Sequence, residues 1–333
     1  MNKIRVKVVL LSIIALLFIS CNKGTQDVNS RDEYDIESVS KKMSKFVAVI
    51  TFGSNKAAYS EDGIKWKATT MPYKADWQSV CYGKDKFIAV FFDSDKAAYS
   101  TDGIKWQTVT LPSKEDWRAV CYGNGKFVAV AFGDKAVYST DGIKWKTATL
   151  PANEDWQSVC YGKDKFVAVP FTESKNAIYS EDGINWKTAT LPGKRRWEKI
   201  CYGNGKFLAV GDSSDKAAYS TNGISWESIT MPDKASWRIC FGNDKFAATV
   251  TGANSDKKAA YSYDGITWKT TIMPSRASWE SICYGNGKFV TVAYLDDKAA
   301  YSVDGITWTE TTLPSREFWY SVCSGALPLP SPF

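Results

Sequence analysis

The fold of this protein is decided by one short stretch, Ser100-Thr101-Asp102-Gly103-Ile104-Lys105-Trp106, whose pattern the chain of 333 residues repeats seven times. The copies, the fifth with Asn in place of Asp, end at Trp66, Trp106, Trp145, Trp186, Trp226, Trp268 and Trp308, spaced 39 to 42 residues apart. A second tryptophan follows each copy, at Trp77, Trp117, Trp156, Trp197, Trp237, Trp279 and Trp319. A fixed period of about forty residues indicates a repeat architecture in which only loops vary in length.

One repeat unit, residues 77–110, contains four segments with the periodicity of strands. Segments 77–82, 87–91 and 97–100 are largely apolar, and turn residues separate them. The Asp102-Gly103 pair favours a hairpin, after which residues 104–107 alternate apolar with polar, as in a half-exposed outer strand. Pro112 is expected to end that strand, because proline donates no backbone hydrogen bond. Four antiparallel strands in about forty residues are typical of a propeller blade.

The two ends of the repeat region are incomplete in complementary ways. The repeat region begins at residues 45–49, which correspond to the second strand of a unit, and ends at residues 319–323, which correspond to a first strand. We therefore predict an all-β fold with 28 strands, a seven-bladed β-propeller of four-stranded antiparallel blades, closed by the C-terminal strand joining the N-terminal blade. The predicted boundaries are 1–21 for a signal peptide, 22–43 for a flexible tether, 44–325 for the propeller and 326–333 for a Pro-rich tail.

The stretch from Ser100 to Trp106 resembles the Asp-box (BNR-like repeat) of sialidase-like β-propellers, whose pattern is Ser-x-Asp-x-Gly-x-x-Trp. The copies here are one residue shorter between Asp and Trp. The resemblance spans residues 46–325 and implies a turn between the third and fourth strands of each blade. It concerns the scaffold, since the box lies far from the catalytic centre of the enzymes that carry it. The arginine triad, acid and tyrosine–glutamate pair of sialidases cannot be mapped onto this sequence.

The N-terminal segment, residues 1–21, reads as an export signal. A basic start precedes an apolar run over residues 8–19, which is shorter than the roughly 20 residues that span a bilayer. The ending Leu17-Phe18-Ile19-Ser20-Cys21 resembles a bacterial lipoprotein box, although Phe18 stands where that pattern usually has Leu. We expect Cys21 to be lipidated, the alternative being ordinary signal cleavage nearby. The resulting expectation is a monomer held on a membrane of the cell envelope, outside the cytoplasm, by its N-terminal lipid.

Composition excludes several functional classes. With 44% apolar and 14% aromatic residues the chain can bury a large core. The formal net charge of +6 falls to about +3 without the basic start, and the lysines alternate with acids, so no nucleic-acid partner is expected. The absence of histidine excludes Ser-His and Cys-His nucleophiles and histidine metal sites. A pair of carboxylates, as in glycosidases, stays possible.

Three recurring features have structural interpretations that we favour over functional ones. Each Asp-Gly turn offers one carboxylate, too few for a calcium loop, so turn chemistry is expected and no metal or cofactor. Equivalent atoms of neighbouring blades should be about 10 Å apart, too far for disulfides, so free buried thiols are expected. They are Cys81, Cys121, Cys160, Cys201, Cys240, Cys283 and Cys323. Most tryptophans are expected in the core rather than in sugar-stacking sites, with some reservation for the second series.

The repeats differ from one another on one face only. The Tyr-Gly-Asn-Gly-Lys and Ser-x-Asp-Gly turns are nearly uniform, whereas the loops before the first strand and between the second and third vary, and two of them, 171–176 and 251–258, are longer. Residues flanking the second tryptophan series form a candidate binding rim: Asp76, Gln78, Asp116, Arg118, Asp155, Gln157, Arg196, Glu198, Arg238, Glu280 and Tyr320. Drift in exposed loops would explain the variation equally well.

These observations favour a non-catalytic binding or assembly platform. The face with Arg118, Arg196 and Arg238 would hold an unknown protein or glycan partner. One alternative is a lectin-like propeller with a shallow sugar site on each blade. A sialidase-like glycoside hydrolase is disfavoured, because near-identical repeats leave little room for the asymmetric pair of acids that such chemistry needs.

Overall fold

The computed structural model describes residues 43–252 and 257–327. Within them every regular element is a strand. The first twelve are β1 (Met43–Ile50), β2 (Ser54–Ser60), β3 (Lys67–Ala75), β4 (Trp77–Gly83), β5 (Lys86–Phe91), β6 (Ser94–Ser100), β7 (Gln107–Glu115), β8 (Trp117–Gly123), β9 (Lys126–Ser139), β10 (Lys146–Gly162), β11 (Lys165–Pro170) and β12 (Ser174–Ser180).

The other eleven strands continue the same succession. They are β13 (Lys187–Arg195), β14 (Trp197–Gly203), β15 (Lys206–Gly211), β16 (Ser214–Ser220), β17 (Glu227–Gly242), β18 (Lys245–Thr251), β19 (Lys258–Ser262), β20 (Lys269–Ile272), β21 (Ser278–Gly285), β22 (Lys288–Ser302) and β23 (Thr309–Leu327). The described residues contain no helix long and apolar enough to span a membrane. The predicted signal peptide, Cys21, the tether up to residue 42 and residues 328–333 lie outside the described part of the chain.

Within each unit, strands that follow one another in the chain pair antiparallel, as predicted from the sequence. One four-stranded sheet has the order β4-β5-β6-β7, and the other three sheets contain six or seven strands. The larger sheets arise because β10, β17 and β23 each pair with one unit through their first half and with the next through their second half. In β9 and β22 the second and third strands of a unit are continuous. These five long strands account for the difference between 23 strands and the expected 28.

The first and last strands meet. The second half of β23 pairs antiparallel with β1 from Val47 opposite Cys323 to Met43 opposite Leu327. The predicted boundaries were therefore one to two residues too tight, because Met43 begins β1 and residues 326–327 extend β23. Leu327 is buried in the core, which explains why the strand continues.

The fourth strand starts later than predicted in every unit and ends later in six, whereas β20 ends at Ile272, before Pro274. In β7 the turn holds residues 101–106, since the Asp102 carboxylate accepts the N–H groups of Ile104 and Lys105 at 2.8 Å each. Pro112 does not end the strand: pairing with β6 passes from Thr110 to Glu115 across an irregular stretch. A proline in such a bulge removes no ladder hydrogen bond, so the expectation that it stops the strand was wrong.

The core consists of seven clusters of buried apolar side chains in the described residues, each shared by neighbouring units. All seven tryptophans of the second series are at most 1% exposed, which removes the reservation about them. In the first series Trp145, Trp186 and Trp308 are buried, and the other four pack half-buried against the clusters. The prediction that the tryptophans are core residues is confirmed.

Close approach of neighbouring units explains one recurring glycine. A Cβ built on Gly83 would lie 2.0 Å from the ring carbon Cγ of Tyr122 in the next unit. Four further units repeat this packing of a glycine against the tyrosine or phenylalanine of the next unit. A Cβ on Gly325 at the end of β23 would likewise lie 2.3 Å from the Tyr82 ring. The glycine is therefore required by contact between units.

Candidate functional site

In each of five units the two variable segments, the loop after the second strand and the residues before the first strand, are joined by a backbone hydrogen bond. The candidate rim requires them to lie together. The loop after a second strand donates a backbone hydrogen bond to the residue just before the tryptophan that begins the same unit, as in Phe92 N–H to the Asp76 carbonyl at 3.1 Å and Phe132 N–H to the Asp116 carbonyl at 3.1 Å. Phe171, Asp212 and Thr51 donate in the same way to Asp155, Arg196 and Phe318. The residues flanking the tryptophans thus share one face with the loops between second and third strands.

The rim is much less accessible than predicted. Of its eleven residues five are buried, namely Gln78, Gln157, Glu198, Arg238 and Glu280. Asp76, Asp116, Arg118, Asp155 and Tyr320 are half-buried, and Arg196 alone is exposed. All five buried members directly follow a tryptophan, on the first strand of their unit. Arg118 and Arg238 are paired with acids of the rim itself, which leaves Arg196 as its exposed member.

The buried part of the rim is an ion cluster around Arg238. Its Nη2 lies 2.5 Å from Glu280 Oε1 and 2.9 Å from Glu198 Oε1, and its Nε donates to the Glu280 carbonyl at 2.8 Å. Thr251 donates to the second Glu280 oxygen at 2.5 Å. These side chains come from three successive units, so the cluster ties the innermost strands together. A buried ion pair of this kind serves specificity more reliably than stability.

Tyr320 joins the cluster from the unit that follows that of Glu280. Its hydroxyl is hydrogen-bonded to the Gln157 side chain, and burial, then the Glu280 charge, raises the pKa of Tyr320 to about 12. Tyr320 belongs to β23 and Gln157 to β10, so the contact connects units that are far apart in the sequence. The inner ends of these units therefore converge.

A second ion pair joins two half-buried residues of the rim, Arg118 and Asp155. Arg118 contacts Asp155 through Nε at 2.9 Å and Nη2 at 3.3 Å, and its guanidinium lies 4.8 Å from the Phe92 ring centroid. Burial raises the pKa of Asp155 although the Arg118 charge opposes the shift. Arg118 is thus engaged by an acid and an aromatic ring within the chain.

The sequence analysis missed an aromatic group on this face, here called the aromatic arc, which consists of Phe52, Phe92, Phe132, Phe171, Tyr294 and Phe318. Phe52 is 62% and Phe132 51% exposed. Phe52 packs on Phe318 with centroids 4.7 Å apart, and Arg196 lies 5.6 Å from the Phe171 centroid. The corresponding loops around Asp212 and Thr251 carry no aromatic residue. Aligning the repeats from the buried strand 87–91 onward would have found this signal.

The exposed Arg196 differs from the other two arginines of the predicted face. Within the described residues no carboxylate lies within 4 Å of its guanidinium, while Arg118 and Arg238 are both paired. Arg196 is therefore the one arginine of the three that is free to meet an acidic group from outside.

The longer loop at 171–176 is ordered by one acid. Glu154 accepts hydrogen bonds from Thr172, from Ser174 at 2.8 Å and from the Asn176 amide at 2.7 Å. The three donors all lie in the segment that follows β11, so Glu154 has a structural role in holding this loop. Of the other long loop, residues 253–256 lie outside the described residues.

The uniform turns use their polar atoms internally. In each copy the serine hydroxyl accepts the glycine N–H and the Asp or Asn side chain accepts two backbone N–H groups, as with Asp141 from Ile143 and Lys144 at 2.8 Å. The N–H groups of Lys144 and Ile143 lower the pKa of Asp141. These contacts agree with turn chemistry. Lys84 donates to the Thr140 carbonyl at 2.8 Å, so the two kinds of uniform turn do share a face.

The seven repeat cysteines are free, as predicted. Cys81 and Cys240 are buried and the other five are half-buried, so the prediction of full burial holds only in part. Burial raises the pKa of all seven thiols. Thiols held in the protonated form are poor nucleophiles and poor metal ligands.

No family model matches this sequence, and no curated protein matches it. Solved structures are similar in fold. A streptogramin B lyase superposes with a TM-score of 0.68 at 11% identity, covering 85% of this chain and 92% of the lyase. Virginiamycin B lyase from Staphylococcus aureus, solved as a catalytically inactive histidine-to-alanine variant with quinupristin, gives 0.65 at 12% identity, with 81% and 88% covered.

A third similar structure is YCF48 bound to D1 peptide, with a TM-score of 0.58 at 15% identity, covering 74% of this chain and 88% of that one. Identities this low concern the fold alone. Together with the strand pairing, they show that the chain has a propeller-type all-β fold.

Proposed function

We propose that this protein is a non-catalytic binding platform that holds a protein or peptide partner on the aromatic arc. The observation that carries the proposal is the exposure of Phe52 and Phe132, at 62% and 51%, whereas most other large aromatic side chains of the described residues are packed, with Tyr263 at 54% an exception outside the arc. Aromatic residues and arginine are enriched at the centres of protein interfaces. The unpaired Arg196 beside Phe171 favours a partner segment that carries an acidic residue.

The comparisons with known structures support this proposal only at the level of the fold. YCF48 was solved with a bound peptide, which shows that a related architecture holds peptides. The lyases are enzymes, but a histidine-to-alanine variant of one is described as catalytically inactive, and this chain contains no histidine. The acids Glu198 and Glu280 are buried and both are paired with Arg238, which disfavours a role as a general acid and base. A sialidase-like hydrolase is the less favoured alternative.

Selection from a library of displayed peptides tests the proposal. Peptides selected on the wild-type protein should contain acidic and apolar residues and should lose at least about tenfold in affinity for the double variant Phe52→Ser, Phe132→Ser, because interface aromatics typically contribute 1 kcal/mol or more. Affinity is measured by calorimetry. The matched control is Ile272→Ser, which removes an apolar side chain that is 74% exposed on β20, outside the arc.

Equal affinity of the selected peptides for the wild-type protein and the double variant would remove the aromatic arc from the proposal. A loss of the same size in Ile272→Ser would indicate nonspecific apolar adsorption instead.

A lectin-like function is the second candidate, and a specific observation favours it. Equivalent shallow cavities recur beside the uniform turns, of about 200 Å³ near Tyr179 and Asp182, 110 Å³ near Tyr59 and Asp62, and 90 Å³ near Tyr261 and Asp264. A tyrosine ring beside polar groups suits a sugar. Glycan titration with several equivalent sites per chain would favour the lectin, and a single peptide site the platform.

We further propose that the described units form a closed ring of seven blades and that the Ser-x-Asp-Gly turns are shortened Asp-boxes. Contacts between the first and last units support closure: Asn286 donates to the Glu61 carbonyl at 3.5 Å, Thr311 donates to the Ile64 carbonyl at 2.5 Å, and Lys56 pairs with Glu317 at 2.5 Å. One buried cluster joins Ala48 and Ile50 to Val292 and Leu313.

The proposed location is the cell envelope. We propose export, cleavage before Cys21 and lipidation of that cysteine, which would leave residues 22–42 between the lipid and β1. The support is the sequence pattern at residues 17–21, since these residues lie outside the described part of the chain. A membrane-held monomer would present its aromatic arc to partners in the same compartment.

A further inference from the structure

A small cavity lies among the innermost strands of three successive units. Its volume is about 130 Å³, and it is lined by Lys199, Arg238, Ile239, Ser281 and Ile282. Since a water molecule occupies about 30 Å³ in the liquid, the cavity has room for a ligand of a few heavy atoms. It lies beside the Arg238 ion cluster and is separate from the aromatic arc.

The repeat pattern breaks at this cavity. In four units the second residue after the tryptophan is a serine whose hydroxyl accepts a backbone N–H of the next unit, as Ser79 does from Val120 and Ser158 from Ile200 at 3.2 Å each. Lys199 replaces that serine. In the next unit the interval from Trp237 to Cys240 is one residue shorter than elsewhere, and its strand lacks the irregularity that follows the other tryptophans. The two departures coincide where the cavity opens.

Two cationic side chains at this place have donor groups without an acceptor among the described residues. Two nitrogens of Arg238 are bound by Glu280 and Glu198, but its buried Nη1 has no acceptor among the described residues. Nor does the Lys199 ammonium have a hydrogen bond or an acid within 4 Å in the described part of the chain. Burial, then the Arg238 charge, lowers the pKa of Lys199, although the charges of Glu198 and Glu280 oppose this. A buried polar group without a partner is costly, so an anion here would be stabilising.

We propose that this cavity binds a short aliphatic carboxylate, whose oxygens contact the Lys199 ammonium and Nη1 of Arg238. Nη1 is the one guanidinium nitrogen of Arg238 without an acceptor in the described part of the chain, so it can donate a charge-assisted hydrogen bond to one carboxylate oxygen while the Lys199 ammonium meets the other. The side chains of Ile239 and Ile282 form apolar walls that suit a chain of two or three carbons and disfavour a fully polar oxyanion such as sulfate. The serine found in other units provides neither the charge nor the reach for this contact.

Thermal unfolding with sodium propionate as the probe, compared with sodium chloride at equal ionic strength, tests the proposal. At ten times its dissociation constant, propionate should raise the wild-type melting temperature by about 3 °C beyond chloride. Lys199→Ser, which restores the residue of the other units, should abolish the propionate-specific rise whatever its own stability. The matched control is Lys105→Ser, an exposed lysine at a position where another unit has Ser225; it should keep the full rise.

Two outcomes would overturn the carboxylate site. In the first, propionate raises the melting temperature of the wild type no more than chloride does. In the second, propionate raises the melting temperature of Lys199→Ser as much as that of the wild type. A crystal soaked with 3-bromopropionate gives a direct readout, since its anomalous peak should lie between Lys199 and Ile282. The variant Phe52→Ser, Phe132→Ser should retain the propionate effect, so failure of the platform proposal and failure of this site are distinguishable.

Discussion

At the scale of single residues, position along the repeat matters more than residue type. Arg118, Arg196 and Arg238 look equivalent in the sequence, yet one is half-buried on Asp155, one is exposed and one is buried between two glutamates. Burial decides what each arginine can do: a paired, buried guanidinium organises the inner strands, and only an unpaired, exposed one can recruit a partner.

The seven repeat thiols give a prediction about pH. Burial raises the pKa of each above its ordinary value of 9.0, so above pH 9 the unfolded chain loses protons that the folded chain keeps. Their contribution to stability is therefore complete below that pH and is lost as pH rises, by up to about 1.4 kcal/mol per pH unit for each thiol. Urea unfolding under reducing conditions from pH 8 to 10.5 measures this slope.

The variant Cys240→Ala removes one of these thiols. Above pH 9 its free energy of unfolding should therefore fall less steeply with pH, by the equivalent of about one proton. Cys240 is buried and packs in the cluster around Trp279, so some stability is lost at every pH, but the difference in slope is independent of that offset. Identical slopes in both proteins would show that Cys240 is deprotonated in the folded state.

At the scale of elements, contact between units overrides local preference. Pro112 is a strand breaker in isolation, but β7 continues past it because Glu115 still pairs with Ser94 of β6. Likewise five pairs of expected strands are continuous: β10, β17 and β23 pass from one unit into the next, and β9 and β22 join the second and third strands of one unit. The number of strands is therefore a poor count of the units, and the register of their pairing is a better one.

The packing of each inner strand against the next yields a prediction for Gly83→Ala. The added methyl would lie 2.0 Å from the Tyr122 ring, so the strands must move apart, and the free energy of unfolding should fall by about 1 to 3 kcal/mol. Without that contact the substitution would slightly stabilise the protein by restricting the unfolded chain. Urea unfolding measures the difference.

Gly193→Ala is the control, because its Cβ meets only the end of the flexible Arg195 side chain. A change within about 0.5 kcal/mol is expected there. Similar changes in both variants would mean that contact between units does not restrain Gly83.

At the scale of the whole molecule, the proposed ring depends on pairing between the first and last strands. Trp319 is 1% exposed and Leu327 6% exposed, and both belong to the segment that pairs with β1. Without this segment β1 would become an edge strand with unpaired N–H and C=O groups, and the cluster around Ala48 would lose Trp319 and Val322.

Deleting residues 319–327 should therefore lower the midpoint of urea denaturation well beyond the effect of a single core substitution, since truncating one buried tryptophan typically costs about 3 to 5 kcal/mol. A circular permutant is the control: Met43 and Leu327 are paired residues, so a short linker can join them, with new ends placed in the turn at Gly125. The permutant should fold with a midpoint near that of the wild type. An unchanged midpoint in the deletion would refute closure by this strand.

Much of the architecture could be predicted from the sequence because the repeat supplies the same information seven times. The strands, the turn residues, the buried tryptophans and the complementary ends all follow from local periodicity. The candidate site was predicted less well. The rim residues were placed on the correct strand ends, but five of them are buried, and the aromatic arc and Lys199 were not recognised.

The sequence by itself determined the all-β repeat, the turn chemistry of Asp102-Gly103 and the free state of the thiols, because these depend on neighbours along the chain or on the fixed spacing of strands. Only the tertiary structure decided which charges are accessible. Arg238, Glu198 and Glu280 come from three units and meet only when the inner strands converge, and burial there is a property of the assembled units that no single repeat encodes.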